Sequence, residues 1–157
     1  MKKNLDSITL VGIQQLGPSS FNDEANSGSK FADRVWQDFI PKVINAGFST
    51  ERIMYGISWP ADEFTPPQTI HYFAGFEQKG DEIPAGFEKF QLEGGNYFSY
   101  TYTGSMRDVD SGFIDAYTIA LPQSGLVSRE GQHLEVYPAD YNPAAETVTF
   151  EILIPVQ

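Results

Sequence analysis

The segments that decide the fold are YGISWPAD, residues 55–62, and HLEVYPAD, residues 133–140, which lie 78 residues apart. Each has the alternating side chains of a strand and ends in Pro-Ala-Asp. At the same offset TIHYF (69–73) meets TVTFE (147–151). A constant offset that keeps strand and turn residues in step indicates an internal repeat.

The remaining elements follow the same order in both halves. In the first half we predict strands at 7–16, 52–59 and 69–77 and a helix from Ser29, with polar connections at 17–29 and 60–67. In the second half we predict one or two strands at 87–104, a helix at 108–121, and strands at 133–137 and 146–156. The prediction is an α+β fold of duplicated β-α-β-β units with pseudo-twofold symmetry, in which helices cover one face of antiparallel sheets.

The helices carry specific expectations. Phe31, Val35 and Phe39 recur at helical spacing, Pro41 should kink or divide their helix, and Gly47 should end it. Asp108 is the candidate N-cap of the second helix. The chain is predicted to form a single domain over 1–157, with repeat halves at about 5–78 and 87–157.

Composition restricts the function classes. The net charge is −11, so a surface that binds phosphate backbones directly is not expected. The chain has no Cys, and its start lacks the apolar run of a signal or membrane segment. We therefore expect a cytoplasmic protein with no direct nucleic-acid or membrane partner. Aromatic residues make up 14% of the chain, which suits a large core or a ligand cage.

A carboxylate interrupts the strand HLEVY. His133, Glu135 and Tyr137 share one face of this strand. The 78-residue shift brings Tyr55, Ile57 and Trp59 to the same positions, so the two strands are expected to face a common groove.

Glu135 among aromatic rings suits an organic cation, because opposite charge and ring faces both attract it. An exposed Glu on an edge strand is the alternative, and position alone leaves both open. A hydrolase that pairs Glu135 with a Tyr or His also stays open. The two histidines lack zinc-ligand spacing, and we expect neither a metal nor a cofactor.

Several stretches together resemble the GyrI-like small-molecule-binding superfamily, the effector-binding domain of bacterial AraC-type and MerR-type multidrug-sensing regulators. They are YFAGFE (72–77), IPAGFEKFQLEGGNYFSYTYTG (83–104), LPQSGLVSREGQHLEVYPADYN (121–142) and FEILIPV (150–156). The order of IPxGFEK, GGxY, HLEVY and the terminal IPV is specific, and the first half matches more loosely.

The resemblance implies a stand-alone module that binds amphipathic, cationic aromatic molecules. It places the family's ligand-reading acid at Glu135. It also implies pocket aromatic residues at Tyr55, Trp59, Tyr97, Tyr137 and Phe150. Some relatives hydrolyse reactive DNA-alkylating natural products and others inhibit DNA gyrase. A hydrolase, a topoisomerase inhibitor and an accessory subunit of a transcription regulator are therefore alternatives. The family's regulators carry a helix-turn-helix domain first, for which we expect no room before the first strand.

Overall fold

The structure is a computed structural model that describes residues 1–18, 28–60, 69–80 and 83–157. The predicted connections at 17–29 and 60–67 lie mainly outside these residues, as do Ala61 and Asp62 of the first Pro-Ala-Asp. The strands are β1 (Lys2–Leu5), β2 (Ile8–Pro18), β3 (Met54–Pro60), β4 (Thr69–Glu77), β5 (Glu88–Leu92), β6 (Gly95–Gly104), β7 (His133–Tyr137) and β8 (Val148–Pro155). The helices are α1 (Gly28–Asn45), α2 (Val109–Asp115) and α3 (Leu121–Ser124), with a 3₁₀ turn at Met106–Asp108 and a π turn at Ala116–Ala120.

The eight strands form a single antiparallel sheet in the order β1-β6-β8-β7-β3-β4-β2-β5. The predicted α+β fold with duplicated units is confirmed, but the expected separate sheets are joined because β3 pairs with β7. This order is symmetric about its centre: β1 corresponds to β5, β6 to β2, β8 to β4 and β7 to β3. The halves therefore meet at the β3–β7 pair.

The short strand β1 was not predicted, and 87–104 forms two strands. Each half thus begins with an extra strand that pairs with the other half: β1 pairs with β6, and β5 with β2. Lys2 lies opposite Phe98, and Lys89 lies opposite Val11. Strands β1 and β2 are therefore related to β5 and β6 by an offset of 87 residues rather than 78. The sequence gives no signal for β1, because an exposed edge strand with two lysines has no apolar alternation.

Helix α1 packs on the sheet through a buried stripe at four-residue spacing. Phe31, Val35, Phe39 and Val43 are all at most 5% exposed. The predicted division at Pro41 does not occur, because the buried side chains on both sides of it hold one continuous helix against the sheet. The predicted stop is confirmed: Gly47 has φ 84° and its N–H donates to the Ile44 carbonyl at 3.0 Å.

The second helical segment, Met106–Ser124, combines the 3₁₀ turn, α2, the π turn and α3 in one run. Its N-terminal cap is Ser105, whose Oγ accepts from the Asp108 N–H at 3.2 Å. Asp108 occupies the N-cap position of α2, as predicted, but its side chain makes no capping hydrogen bond to that helix. Instead, its carboxylate accepts from Ser105 Oγ at 3.0 Å.

Both helical segments pack on the same face of the sheet, as predicted. The two cores beneath them contain α1 with Tyr72 and Ala74, and the second segment with Phe150 and Ile152. A third core, which holds Leu10, Ile57, Phe73 and Leu134, lies on the opposite face. In the described part of the chain, no helix is long and apolar enough to cross a membrane.

The repeat changes its offset between neighbouring strands. Tyr72 and Phe150, 78 residues apart, both face the helices. Gly56 pairs with Ala74, and Glu135 pairs with Ile152, which lies 78 residues after Ala74. Gly56 and Glu135 are therefore the equivalent positions, at an offset of 79. The predicted match of Glu135 with Ile57 is off by one residue, and one residue along a strand reverses the face.

Candidate functional site

A cavity of about 1180 Å³ lies between α1 and the second helical segment, with β3, β4, β7 and β8 as its floor. Its aromatic lining comprises Trp36, Tyr72, Phe113, Tyr117, Tyr137, Tyr141 and Phe150. Its ionisable lining comprises Asp33, Arg52, Asp110, His133 and Glu135 in addition to the tyrosines. Such a volume accommodates a drug-sized molecule.

Glu135 occupies the middle of this floor. β7 lies between β3 and β8 in the sheet, and Glu135 is only 8% exposed. The alternative of an exposed Glu on an edge strand is therefore wrong. A carboxylate this buried is stable only when hydrogen bonds or an opposite charge compensate its lost hydration.

Two tyrosines provide those hydrogen bonds, and both donate to the same oxygen. Tyr72 Oη lies 2.9 Å and Tyr137 Oη lies 2.6 Å from Glu135 Oε1. The indole N–H of Trp36 in turn donates to Tyr72 Oη at 2.9 Å. Trp36 and Tyr72 come from the first half of the chain and Tyr137 from the second, so both halves hold one carboxylate.

The other oxygen of Glu135 remains open to the cavity. Within the described ranges no hydrogen bond reaches Oε2, and no buried side-chain oxygen lacks a partner. Oε2 is therefore not sealed in the protein but accessible from the cavity that Glu135 lines. This oxygen is the atom that a bound group would meet.

Gly56 makes room for this arrangement. It lies directly opposite Glu135 on β3. A Cβ at position 56 would come within 2.1 Å of Tyr72 Oη and 3.1 Å of Glu135 Oε1. Any side chain larger than hydrogen would displace the tyrosine from the carboxylate.

Burial sets the protonation of the polar groups. It raises the pKa of Glu135, and the hydrogen bonds from Tyr137 and Tyr72 offset only part of that rise. Burial, with the nearby Glu135 charge, also raises the pKa of Tyr72 and Tyr137 well above 10 and that of Tyr141 to about 12. These phenols therefore stay neutral and keep their protons for donation.

A second polar pair lies beside Glu135 on the same face of β7. Tyr117 Oη and His133 Nδ1 form a hydrogen bond, and the two rings stack with centroids 5.6 Å apart. Burial and the nearby Arg129 charge lower the pKa of His133, so the imidazole is neutral at pH 7. Tyr117 lies in the π turn, a helix irregularity that often marks functional sites.

The wall above Glu135 is aromatic. The Tyr137 ring contacts Trp36, Tyr141 and Phe150, with centroid distances of 5.5, 4.8 and 4.9 Å. In the described part of the lining, three side chains are carboxylates, and Arg52 is the single side chain with a fixed positive charge. The Arg52 guanidinium lies 4.5 Å from the centre of the Phe76 ring, in contact with that aromatic core. The lining thus combines net negative charge with aromatic faces.

The predicted site residues separate into two groups. Glu135, Tyr137 and Phe150 all line the cavity. Tyr55, Ile57, Trp59 and Tyr97 do not, because they belong to the core on the opposite face of the sheet. The expectation that Tyr55, Ile57 and Trp59 share the groove of Glu135 is wrong because of the offset of 79 in β3 and β7. Tyr97 is fully buried, and its Oη donates to the Glu93 carbonyl at 2.8 Å.

Four residues with clear geometric roles at the site were not predicted: Trp36, Tyr72 and Tyr117, which line the cavity, and Gly56, which lies opposite Glu135 on β3. A signal existed for Tyr72, since it is the 78-residue equivalent of Phe150, which was predicted. Trp36 fits the helical spacing of α1, and that spacing alone does not distinguish a cavity residue from a core residue. Nothing in the sequence distinguishes Gly56 from other strand glycines, because its role depends on the register of β3 against β7.

Comparisons with known proteins agree with this geometry. Residues 1–157 match the family described as the GyrI-like small molecule binding domain. The chain is 30% identical over 128 residues to the transcriptional regulator BrlR of Pseudomonas aeruginosa, covering 78% of this chain and 45% of BrlR. It is 25% identical over 160 residues to the right origin-binding protein of Escherichia coli K12, covering 98% of this chain and 54% of that protein. The chain spans about half the length of these relatives.

Two solved structures show the same fold at low identity. SAV2435 bound to tetraphenylphosphonium has a TM-score of 0.75 at 16% identity, over 100% of this chain and 93% of that one. A hydrolase encoded by lin2189 from Listeria innocua has a TM-score of 0.54 at 12% identity, over 100% of this chain and 91% of that one.

Proposed function

We propose that this chain, which belongs to the family of GyrI-like small-molecule-binding domains, binds an amphipathic, cationic aromatic molecule over Glu135. The observation that carries the proposal is the buried carboxylate with one oxygen held by two tyrosines and the other open to the cavity. The role suits drug or effector sensing or sequestration.

The energetics favour a cation over a neutral ligand. Empty, the site holds a desolvated carboxylate whose ionisation is unfavourable. A cation placed at Oε2 compensates the charge, and ring faces such as those of Trp36 and Tyr137 each attract it by about 0.5–2 kcal/mol. Burial of its aromatic surface adds roughly 25 cal/mol per Å². A neutral ligand gains only this last contribution.

The fold neighbour SAV2435 was solved with tetraphenylphosphonium, a bulky aromatic cation, and this supports the choice of ligand class. The acidic lining supports it as well, since Asp33 and Asp110 lie at the exposed rim and attract cations. The regulators among the relatives are about twice as long as this chain, so their activity in transcription forms no part of the proposal.

The test compares tetraphenylphosphonium with tetraphenylborate, an anion of nearly the same shape, by isothermal titration calorimetry. Wild type should bind the cation and discriminate against the anion. Glu135→Gln should weaken cation binding by at least about tenfold, since it removes the buried charge on the cavity floor, and should leave the anion unaffected or bound more tightly.

The matched control is Glu130→Gln, which removes the same charge from an exposed position outside the cavity. It should change the affinity for the cation less than twofold. Equal losses in both variants would mean that overall charge, rather than Glu135, attracts the ligand. Equal affinity of wild type and Glu135→Gln would overturn the proposal.

A hydrolase is the second candidate, favoured by the open Oε2 of a carboxylate with a raised pKa, next to a neutral His133. Such a carboxylate could accept a proton from an attacking water. Mass spectrometry after prolonged incubation with an electrophilic aromatic ligand tests it: turnover that disappears in Glu135→Gln supports a hydrolase, and an intact ligand contradicts it. A protein partner, as a topoisomerase inhibitor or a regulator subunit, stays a prediction from the resemblance.

A further inference from the structure

The cavity floor contains a second polar position that the charge of Glu135 does not explain. His133 and Glu135 lie two residues apart on the same face of β7, which separates them by about 7 Å along the strand. Both line the same cavity. The floor therefore presents an anionic position and a neutral polar position to one ligand.

The hydrogen bond to Tyr117 fixes what His133 offers. Tyr117 Oη and His133 Nδ1 share one hydrogen bond. We assign the phenol as its donor and Nδ1 as its acceptor, because a neutral imidazole nitrogen accepts a hydrogen bond more strongly than a phenol oxygen does. A neutral imidazole that accepts at Nδ1 carries its proton at Nε2. Tyr117 is thus a positioning residue that selects the tautomer of His133.

The Nε2–H group is the unused donor of the pair. Among the described residues no hydrogen bond involves Nε2, and no buried side-chain nitrogen lacks a partner. Nε2 is therefore accessible rather than sealed, on a half-buried side chain that lines the cavity. A ligand over Glu135 that extends along β7 would meet this donor.

We propose that His133 Nε2–H, held by Tyr117, is a second recognition point that selects cationic ligands with a neutral hydrogen-bond acceptor about 7 Å from the positive charge. Hydroxyl, ether and carbonyl oxygens are such acceptors. The inference rests on the proposed function, because it assumes that the cation lies over Glu135, and it defines the ligand class more narrowly.

Two phosphonium ions of the same size provide the test: triphenylphosphonium with a fourth ring that carries either a para-hydroxymethyl or a para-ethyl group. The two differ only in that a hydroxyl group takes the place of a methyl group, and this hydroxyl lies beyond the ring that carries it, at a comparable distance from phosphorus. Wild type should bind the hydroxymethyl compound about fivefold more tightly, a ratio typical of one added hydrogen bond.

His133→Leu should abolish this preference while the ethyl compound still binds. Tyr117→Phe should reduce the preference severalfold, because Nδ1 loses its donor and the imidazole can then adopt either tautomer. Ser58→Ala is the control, since Ser58 lies opposite His133 on β3, lines the cavity and carries the competing hydroxyl. It should retain the preference.

No preference in wild type, or a preference that survives in His133→Leu, overturns the inference. If His133→Leu does not fold, the affinity ratio of the two compounds is compared between wild type, Tyr117→Phe and Ser58→Ala. Loss of the preference in Ser58→Ala, or an unchanged preference in Tyr117→Phe, then overturns the inference. Failure of the proposed function gives a different result, because then neither compound responds to Glu135→Gln.

Discussion

The two halves of the chain contribute different parts of the carboxylate site: the second half supplies Glu135 and Tyr137, and the first half supplies Tyr72 and Trp36. Gly56 on β3 and Glu135 on β7 occupy equivalent positions beside the same pseudo-twofold axis. Tyr72, which donates to Glu135, is equivalent to Phe150, which cannot donate. Duplication therefore produced two similar strand pairs, and the site depends on the differences between them.

The same contrast holds for the helices. α1 is one regular helix of 18 residues, and its Trp36 reaches the hydrogen-bond network through Tyr72. The second helical segment contains a π turn, from which Tyr117 reaches His133. One helix supports the charged position and the other supports the neutral position, so a complete cavity requires both halves.

Gly56→Ala gives the largest expected effect, because it adds a side chain at the first-half position that is equivalent to Glu135, where only hydrogen fits. The new Cβ would overlap Tyr72 Oη and force it away from Glu135. We expect a loss of about 1–3 kcal/mol in the free energy of unfolding, as for other overpacked cores, measured by urea denaturation.

Tyr72→Phe tests the mechanism of that loss. Alone it should also destabilise, since Trp36 Nε1 and Glu135 Oε1 each lose a partner. Combined with Gly56→Ala it should cost clearly less than the two losses added, because the clashing oxygen is absent. Additive losses would show that Gly56 does not act through Tyr72.

The pH dependence of stability gives a smaller effect. Burial raises the pKa of Glu135 above its ordinary value of 4.5, so the folded chain holds this proton more tightly than the unfolded chain. The resulting stabilisation is fully present below the unfolded pKa and is lost as the pH rises through the folded pKa. The stability of wild type minus that of Glu135→Gln should therefore fall as the pH rises from 4.5 towards neutrality.

Urea denaturation of both proteins between pH 4 and 8 checks this difference. His133 is present in both proteins, so its contribution to the difference cancels to first order. Glu130→Gln, which removes a carboxylate from an exposed position outside the cavity, is measured alongside as the control. A difference between wild type and Glu135→Gln that is flat or rises with pH would contradict the direction of the pKa shift.

The smallest expected effect is a difference in ligand affinity between variants of the two tryptophans, which lie on opposite faces of the sheet. Trp36 lines the cavity, whereas Trp59 stacks on His71 with centroids 5.1 Å apart in the opposite core. Trp36→Phe should weaken tetraphenylphosphonium binding severalfold, and Trp59→Phe should leave it within twofold of wild type. An equal loss in both would place the ligand outside the cavity.

The sequence predicted the architecture well because repeats, alternation and helical spacing are local signals. Strands 69–77 and 133–137 were predicted at their observed bounds, and the four-residue spacing from Phe31 identified α1. Glu135 was singled out because a carboxylate within a strand of otherwise apolar or aromatic neighbours is unusual. These features need no knowledge of how the two halves pair.

The rest of the cavity depends on register, which the sequence does not specify. The offset of 78 holds for β4 and β8 but not for β3 and β7, and this single residue moved Ile57 and Trp59 to the wrong face. The role of Gly56 and the tautomer of His133 likewise depend on contacts across the sheet and with the second helical segment. These features are set by pairing between segments that are distant in the sequence, so local sequence patterns do not predict them.

The pKa of Glu135 with and without bound cation tests the central claim most directly. The ¹³C shift of the side-chain carboxyl carbon, Cδ, of labelled glutamate reports that pKa in a pH titration. The Glu135 signal is identified as the one that is missing from the spectrum of Glu135→Gln. Saturation with tetraphenylphosphonium should lower it from its raised value, because a positive charge at Oε2 favours the ionised carboxylate. A pKa that stays unchanged or rises while the ligand is bound would contradict the account.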